Sequence, residues 1–257
     1  MIFDSHLHTK FSADSQMEIK DAIAAADREN IGLVLTEHLD FDFPADDLFE
    51  FDPHAYMNEY APYRSNKLYL GVEVGMQEHT KEQSLEFIKK VDFDQVICSL
   101  HILDKQDLYY KSCYEHKDKQ SVYTNYLSSM AKLIAMHDFA DILGHIDYIC
   151  RYAPYNSADI TLSDYQDLVD NIWQTILDKN IIPELNTRRF NNSNNIPALL
   201  KLYERYANLG GKYVSIGSDA HTPENVGYKL HEAVDFLDKY NLKPVYFANR
   251  QMKLSKI

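Results

Sequence analysis

His6 and His8 stand two residues apart near the start of the chain. In an extended strand, residues i and i+2 project to the same side, so these imidazoles could share one metal ion. Seven more candidates follow: Asp14, His38 in TEHLD, Glu73 in GVEVG, His101 in CSLHIL, His145 in LGHID, and Asp219 and His221 in GSDAH. Imidazole nitrogen and carboxylate oxygen, without thiolate, suit zinc, iron(II) or manganese. Nine such donors exceed the needs of one ion. They point to two or three divalent metal ions (Zn, Fe or Mn), with a carboxylate bridging. Centres of that kind activate a hydroxide and clamp a phosphoryl group. A lone histidine at a strand end is ordinarily a satisfied polar residue. Six histidines and three carboxylates crowded without a cation would leave desolvation and repulsion uncompensated.

The crowding depends on the elements that carry these residues. Short apolar runs alternate with amphipathic segments of helical length. Strands are predicted at residues 2–6, 32–37, 68–74, 95–100, 141–145, 181–186 and 213–218, with a last extended piece at 244–247. Helices are predicted at residues 17–30, 53–65, 81–91, 120–137, 162–179, 196–209 and 223–240. Asp14 or Ser15 is placed to cap the first, and Pro223 to open the last. In the fifth, Leu168, Ile172 and Ile176 make one apolar face. Seven strand–helix pairs imply an α/β fold with a parallel sheet inside its helices. At this length the best fit is a single domain, residues 1–257, built as a closed, irregular seven-stranded barrel. An open doubly wound sheet is the alternative, but no GxGxxG follows the first strand. All nine candidates then fall at or just past strand carboxyl ends, the face where barrels build active sites.

Composition excludes other classes. The formal charge is −13, which disfavours coating nucleic acid. No apolar stretch approaches the roughly 18 residues of a membrane span. No secretory signal is visible, and Cys98, Cys113 and Cys150 lack CxxC spacing, so a cytoplasmic address is expected. An acidic chain would seem a poor host for an anion. Three divalent ions, however, would outweigh Asp14, Glu73 and Asp219 locally.

HxH, TEH, the GVEVG glutamate, SLH, GHID and SDAH, in this order over residues 2–247, resemble the polymerase-and-histidinol-phosphatase (PHP) family of metal-dependent phosphoesterases. The resemblance implies a distorted seven-stranded (β/α)7 TIM-like barrel with a trinuclear metal centre. His6, His8, Glu73 and Asp219 would hold one ion. Glu73 would bridge to a second, completed by His101 and His145. Asp14, His38 and His221 would hold the third. Some relatives carry histidine where this chain has Asp14, which adds a negative ligand here. The aromatic-acidic loop after TEH, GHIDYICRYAPY and ELNTRRF are most similar to the stand-alone histidinol-phosphate phosphatases. That likeness implies hydrolysis of L-histidinol phosphate to L-histidinol and phosphate, a step of histidine biosynthesis, by attack of a metal-bridging hydroxide on phosphorus. Asp219, Glu73 and His221 would lie at the catalytic centre. The proton for the leaving group could come from a metal-bound water, Asp219 or a neighbouring histidine.

A phosphate ester also needs side-chain cations. Arg151 lies beyond the fifth strand, and Arg188 and Arg189 beyond the sixth; one of the latter two should point away. A guanidinium fork suits phosphate oxygens. Lys105, in the long loop at residues 104–119, is a further candidate. His54, His79, His116, His137, His231 and Trp173 read as ordinary packing or surface residues. The acidic run at residues 40–52 reads as a solvated face, or as help from Phe41, Phe43 and its acids in receiving the imidazole or amine. The partner is a small-molecule phosphate ester. Another PHP phosphoesterase, acting on phosphotyrosyl protein or a small nucleotide, is the alternative enzyme. A metal-binding module without turnover is the alternative class.

Overall fold

A computed structural model describes residues 1–44, 49–194 and 196–256. Its strands are β1 (Phe3–Leu7), β2 (Gly32–Leu39), β3 (Leu68–Gly75), β4 (Gln95–Ser99), β5 (Ile102–Leu103), β6 (Gln106–Asp107), β7 (Ile142–Leu143), β8 (Ile182–Asn186), β9 (Tyr213–Gly217), β10 (Lys243–Ala248) and β11 (Gln251–Leu254). Its helices are α1 (Ile19–Glu29), α2 (Pro53–Tyr60), α3 (Lys81–Ile88), α4 (Lys119–Met136), α5 (Leu162–Lys179), α6 (Ile196–Asn208) and α7 (Leu230–Lys239). Asp46 and Asp47, in the acidic run, lie outside the described residues.

All seven expected strands are present. The main sheet nevertheless has nine, in the order β1-β2-β3-β4-β7-β8-β9-β10-β11. Its pairs are parallel except β10 with β11. β1, β2, β4 and β8 are buried along their whole length, which is why they read as apolar runs rather than alternating ones. The expected closed seven-strand ring is corrected. Among the described residues β1 and β9 share no ladder, only an isolated parallel bridge between Leu7 and Ala220. The reason is occupancy: β10 pairs with Tyr213, Val214 and Ser215 of β9, leaving β1 only the chain beyond it. There Asp219 N donates to His6 O at 2.7 Å and His8 N to Ala220 O at 2.8 Å. Those two bonds bring the first and last candidate motifs side by side.

The helices cover the sheet as expected. α5 buries Val169, Ile172, Trp173 and Ile176, and the Trp173 indole donates to Leu202 O at 3.1 Å. Leu168 only packs against the margin of this core. α2 and α3 end earlier than expected, at Tyr60 and Ile88, and two starts also differ. α1 starts after Glu18 and has no side-chain cap; Asp14 reaches His221 and the Ser15 hydroxyl donates to His8 O and His221 O instead. Pro223 opens a short separate turn, and α7 begins only at Leu230. Gly227 and Lys229, both at positive φ, interrupt any continuous helix between them. No helix among the described residues is long and apolar enough to cross a membrane.

Candidate metal centre and active site

All nine candidates meet at one end of the sheet, and Glu73 is their hub. Its Oε2 lies 3.0 Å from His38 Nδ1, 3.2 Å from His6 Nε2 and 3.5 Å from His8 Nε2. Its Oε1 lies 3.0 Å from His145 Nε2 and 3.3 Å from His101 Nε2. Asp219 Oδ1 stands 3.4 Å from His8 Nε2, and Asp14 Oδ2 stands 3.0 Å from His221 Nε2 and 3.7 Å from His38 Nε2. Strand pairing explains the hub: β2 and β3 place His38 directly opposite Glu73. Asp219 has φ +55°, a left-handed conformation that short polar side chains tolerate.

These residues fit a metal centre. Glu73 Oε2, His38 Nδ1 and His101 Nε2 are buried and make no well-aligned hydrogen bond, although each lies within 3.3 Å of a charged neighbour in the cluster. Stranded polar atoms of this kind cost free energy unless something binds them. Three donor groups within the cluster could each hold an ion: His6, His8 and Glu73; His38, Glu73 and His101; and His8, His38 and His221.

The predicted cations separate. Arg151 Nη1 donates to Asp219 Oδ2 at 2.6 Å and its Nη2 to Asn186 Oδ1 at 2.9 Å. Arg188 Nη1 donates to Asp219 O at 3.1 Å and lies 3.2 Å from His221 Nδ1. Both line a cleft of about 670 Å³ with Tyr152, Asn191 and Asn192, and Arg189 also reaches its wall. Arg189 is not brought to the cluster. Its Nη1 and Nη2 are taken by Asp147 at 2.9 Å and Asp159 at 2.5 Å. Lys105 is not brought to the cluster either. Asp104 and Lys105, both at positive φ, form the tip of the β5–β6 hairpin, and Lys105 lines a separate surface groove with Gln77, Glu78 and Lys132.

Burial opposes ionisation of Glu73 and Asp219. The His6 and His101 imidazoles still hold Glu73 well below the usual carboxylate range, and the Arg151 guanidinium does the same for Asp219. Burial works against charge on His38, yet Glu73 and Asp14 push it up to about 10. His6 and His101 are raised likewise, by Glu184 and Glu73 and by Asp40 and Glu73. His8 and His145 are lowered, chiefly by burial. In metal-free protein, protons on His6, His38 and His101 therefore balance the acids. A base raised in the fold contributes stability that is full below its unfolded pKa of about 6.5 and is lost as pH rises through the folded value. The melting temperature of chelator-treated protein is thus expected to fall between about pH 6.5 and pH 10. His8 and His145 act only below that window. Metal-loaded protein should show a shallower dependence, because the ions replace the protons. Equal slopes in the two thermal-melt series would remove this account.

Several supporting residues escaped the sequence reading. Asp40 Oδ1 lies 2.9 Å from His101 Nδ1, and Ser99 Oγ donates to Glu73 Oε1 at 2.6 Å. Ser12 Oγ donates to Glu37 Oε2 at 2.7 Å and lies 3.2 Å from His8 Nδ1. Glu184 Oε1 lies 2.7 Å from His6 Nδ1. A signal was present for two of them: Asp40 is two residues past His38 and Ser99 two before His101, so each pair shares a side of its extended segment.

Comparison with known proteins agrees with this geometry. The PHP domain family model matches residues 4–188. The probable histidinol-phosphatase of Clostridium acetobutylicum is 43% identical over 253 residues, covering 98% of this chain and 99% of that one. The histidinol-phosphatase of Lactococcus lactis subsp. lactis is 28% identical, over 92% of this chain and 90% of its own. The crystal structure of the histidinol phosphate phosphatase from Lactococcus lactis subsp. lactis, complexed with zinc, L-histidinol and phosphate, superposes with a TM-score of 0.91. It is 26% identical and covers 99% of each chain.

Proposed function

Because the chain belongs to the PHP domain family, we propose that it is a metal-dependent histidinol-phosphatase, hydrolysing L-histidinol phosphate to L-histidinol and phosphate. The observation that carries the reading is the convergence of Arg151 and Arg188 on Asp219, at the edge of a histidine–carboxylate cluster in which Glu73 Oε2, His38 Nδ1 and His101 Nε2 make no hydrogen bond. His6, His8, Asp14, His38, Glu73, His101, His145, Asp219 and His221 would hold two or three divalent ions, with Glu73 shared between two. Such ions, when bound, polarise a phosphoryl oxygen and make water a nucleophile at neutral pH.

The chain's own side chains supply the rest. Arg151 and Arg188 present guanidinium N–H groups to a phosphate in the cleft, and their bonds to Asp219 and Asn186 hold those groups in place before substrate arrives. The Arg151 guanidinium also sits over the Tyr148 ring, 5.3 Å from its centroid, which fixes its plane. Asp219 is kept ionised by Arg151, so it is suited to hold a cation and is poorly matched to proton transfer in either direction. Proton delivery to the leaving oxygen then falls to another group.

The finer readings belong to this proposal. The chain works as one domain. Cys98, Cys113 and Cys150 are buried and unpaired, which supports a reducing, cytoplasmic setting. The test is phosphate release from histidinol phosphate, phosphotyrosine and nucleoside monophosphates, with metal quantified in the same preparation. Histidinol phosphate is expected to give the highest kcat/KM, with at least two divalent ions per chain. A higher value for another ester would move the chain to a different phosphatase within the family.

A further inference from the structure

The His6 ring is engaged on both nitrogens. Nε2 faces the cluster, 3.1 Å from His8 Nε2 and 3.2 Å from Glu73 Oε2. Nδ1 faces the other way, 2.7 Å from Glu184 Oε1. A carboxylate only accepts, and a neutral imidazole has one N–H and one lone pair. Once a metal ion displaces the second proton and the ring is neutral, Glu184 would therefore keep the N–H on Nδ1 and leave the Nε2 lone pair for the ion.

Glu184 could be read as a ligand itself, with His6 and His145. Its bonding argues otherwise. Oε1 accepts from His6 and from Asn186 Nδ2 at 3.2 Å, and Oε2 accepts from the His145 N–H at 2.8 Å. Both oxygens accept hydrogen bonds, whereas Glu73 Oε2 accepts none and faces only candidate ligands. The bond to His145 also ties the other edge of the cluster to the same carboxylate.

An independent observation concerns space. A Cβ built on Gly217 would lie 2.3 Å from His6 Cβ and 2.5 Å from Glu184 Oε1. Gly217 is not at positive φ, so the backbone does not demand glycine there. The pair of side chains does. The same device recurs twice around the cluster. A Cβ on Gly75 would lie 1.8 Å from Asp40 Oδ1, the partner of His101, and one on Gly144 would lie 2.1 Å from Ser99 Oγ, the partner of Glu73. Three strand-end glycines thus open slots for the three groups that orient metal-facing side chains.

We propose that Glu184, seated in the Gly217 slot, is a positioning residue that sets the tautomer and aim of His6 and, through them, the metal affinity of the centre. The inference rests on the metal-centre reading above and adds to it a residue that holds no ion. Partners of this kind, hydrogen-bonded to a ligating imidazole, typically govern metal affinity by 10- to 100-fold. In Glu184→Gln the shape is kept. One of its two acceptors becomes an NH2 group, which faces either His6 or the His145 N–H.

The test is zinc affinity, measured by competition with a chromophoric chelator, together with 15N spectra of the His6 ring in zinc-loaded protein. The proteins are wild type, Glu184→Gln, Gly217→Ala and the double variant. Each single variant is expected to weaken zinc binding roughly 10- to 100-fold and to shift or abolish the His6 Nδ1–H signal, since even a retained amide acceptor is weaker than the carboxylate. The double variant should bind about as the worse single does, because both act through one contact. Should Glu184→Gln fail to fold, Gly217→Ala reads the same contact from β9. Wild type that binds zinc, alongside variants with unchanged affinity and an unchanged Nδ1–H signal, overturns the positioning role alone. Wild type that binds no zinc overturns it together with the metal-centre reading.

Discussion

Glu73→Gln is expected to lower kcat/KM for histidinol phosphate by about three orders of magnitude or more. The change is isosteric and removes one charge. That charge faces His6, His8, His38, His101 and His145, all within 3.5 Å. Glutamine must present an NH2 group to some of those nitrogens and can no longer serve two ions. Glu73 belongs to two donor groups, one with His6 and His8 and one with His38 and His101. Metal content should therefore drop by more than one ion per chain, not by one. Losing several kcal/mol of transition-state stabilisation corresponds to a rate loss of about that size. The decisive pairing is activity with metal analysis. Near-normal turnover with full metal content would remove Glu73 from the shared position.

The sequence made the cluster legible because its members use one device nine times. Each candidate sits at or just past a strand carboxyl end, and parallel strands bring such ends to one face. His38 opposite Glu73 in the β2–β3 ladder follows from that register. What was not legible depends on side-chain direction across strands. Glu184 was visible in ELN, but its reach to His6, 178 residues earlier, exists only because β8, β9 and β1 lie together. Ring closure was overread for a similar reason. The extended piece after α7 was recognised, yet nothing in its residues announced that it would occupy the edge of β9. Lys105 was misplaced because a tight hairpin was hidden in a loop that read as irregular. The informative number was the count of 11 histidines, six of which meet at one site, and not the net charge of −13.

Arg188 and Arg189 are adjacent, and substituting each by alanine is expected to produce opposite phenotypes. Arg188 is half-exposed, faces the cleft and touches Asp219 and His221. Its loss removes a charged hydrogen-bond donor for phosphate, worth about 1.5–3 kcal/mol. Arg188→Ala should raise KM roughly ten- to hundredfold and leave the melting temperature nearly unchanged. Arg189 is buried, and its guanidinium joins Asp147, just past His145, to Asp159, before α5. Removing it leaves Asp147 buried beside an emptied space. Breaking a buried pair from one side costs about 3–5 kcal/mol. In a chain of this size that corresponds to a fall in melting temperature on the order of 10 °C. Arg189→Ala should therefore unfold early while its KM, measured well below the transition, stays close to wild type. Thermal melts and steady-state kinetics on the two variants separate the roles. A large KM effect in Arg189→Ala with unchanged stability would place the phosphate clamp on the residue that the ion pairs assign to the scaffold.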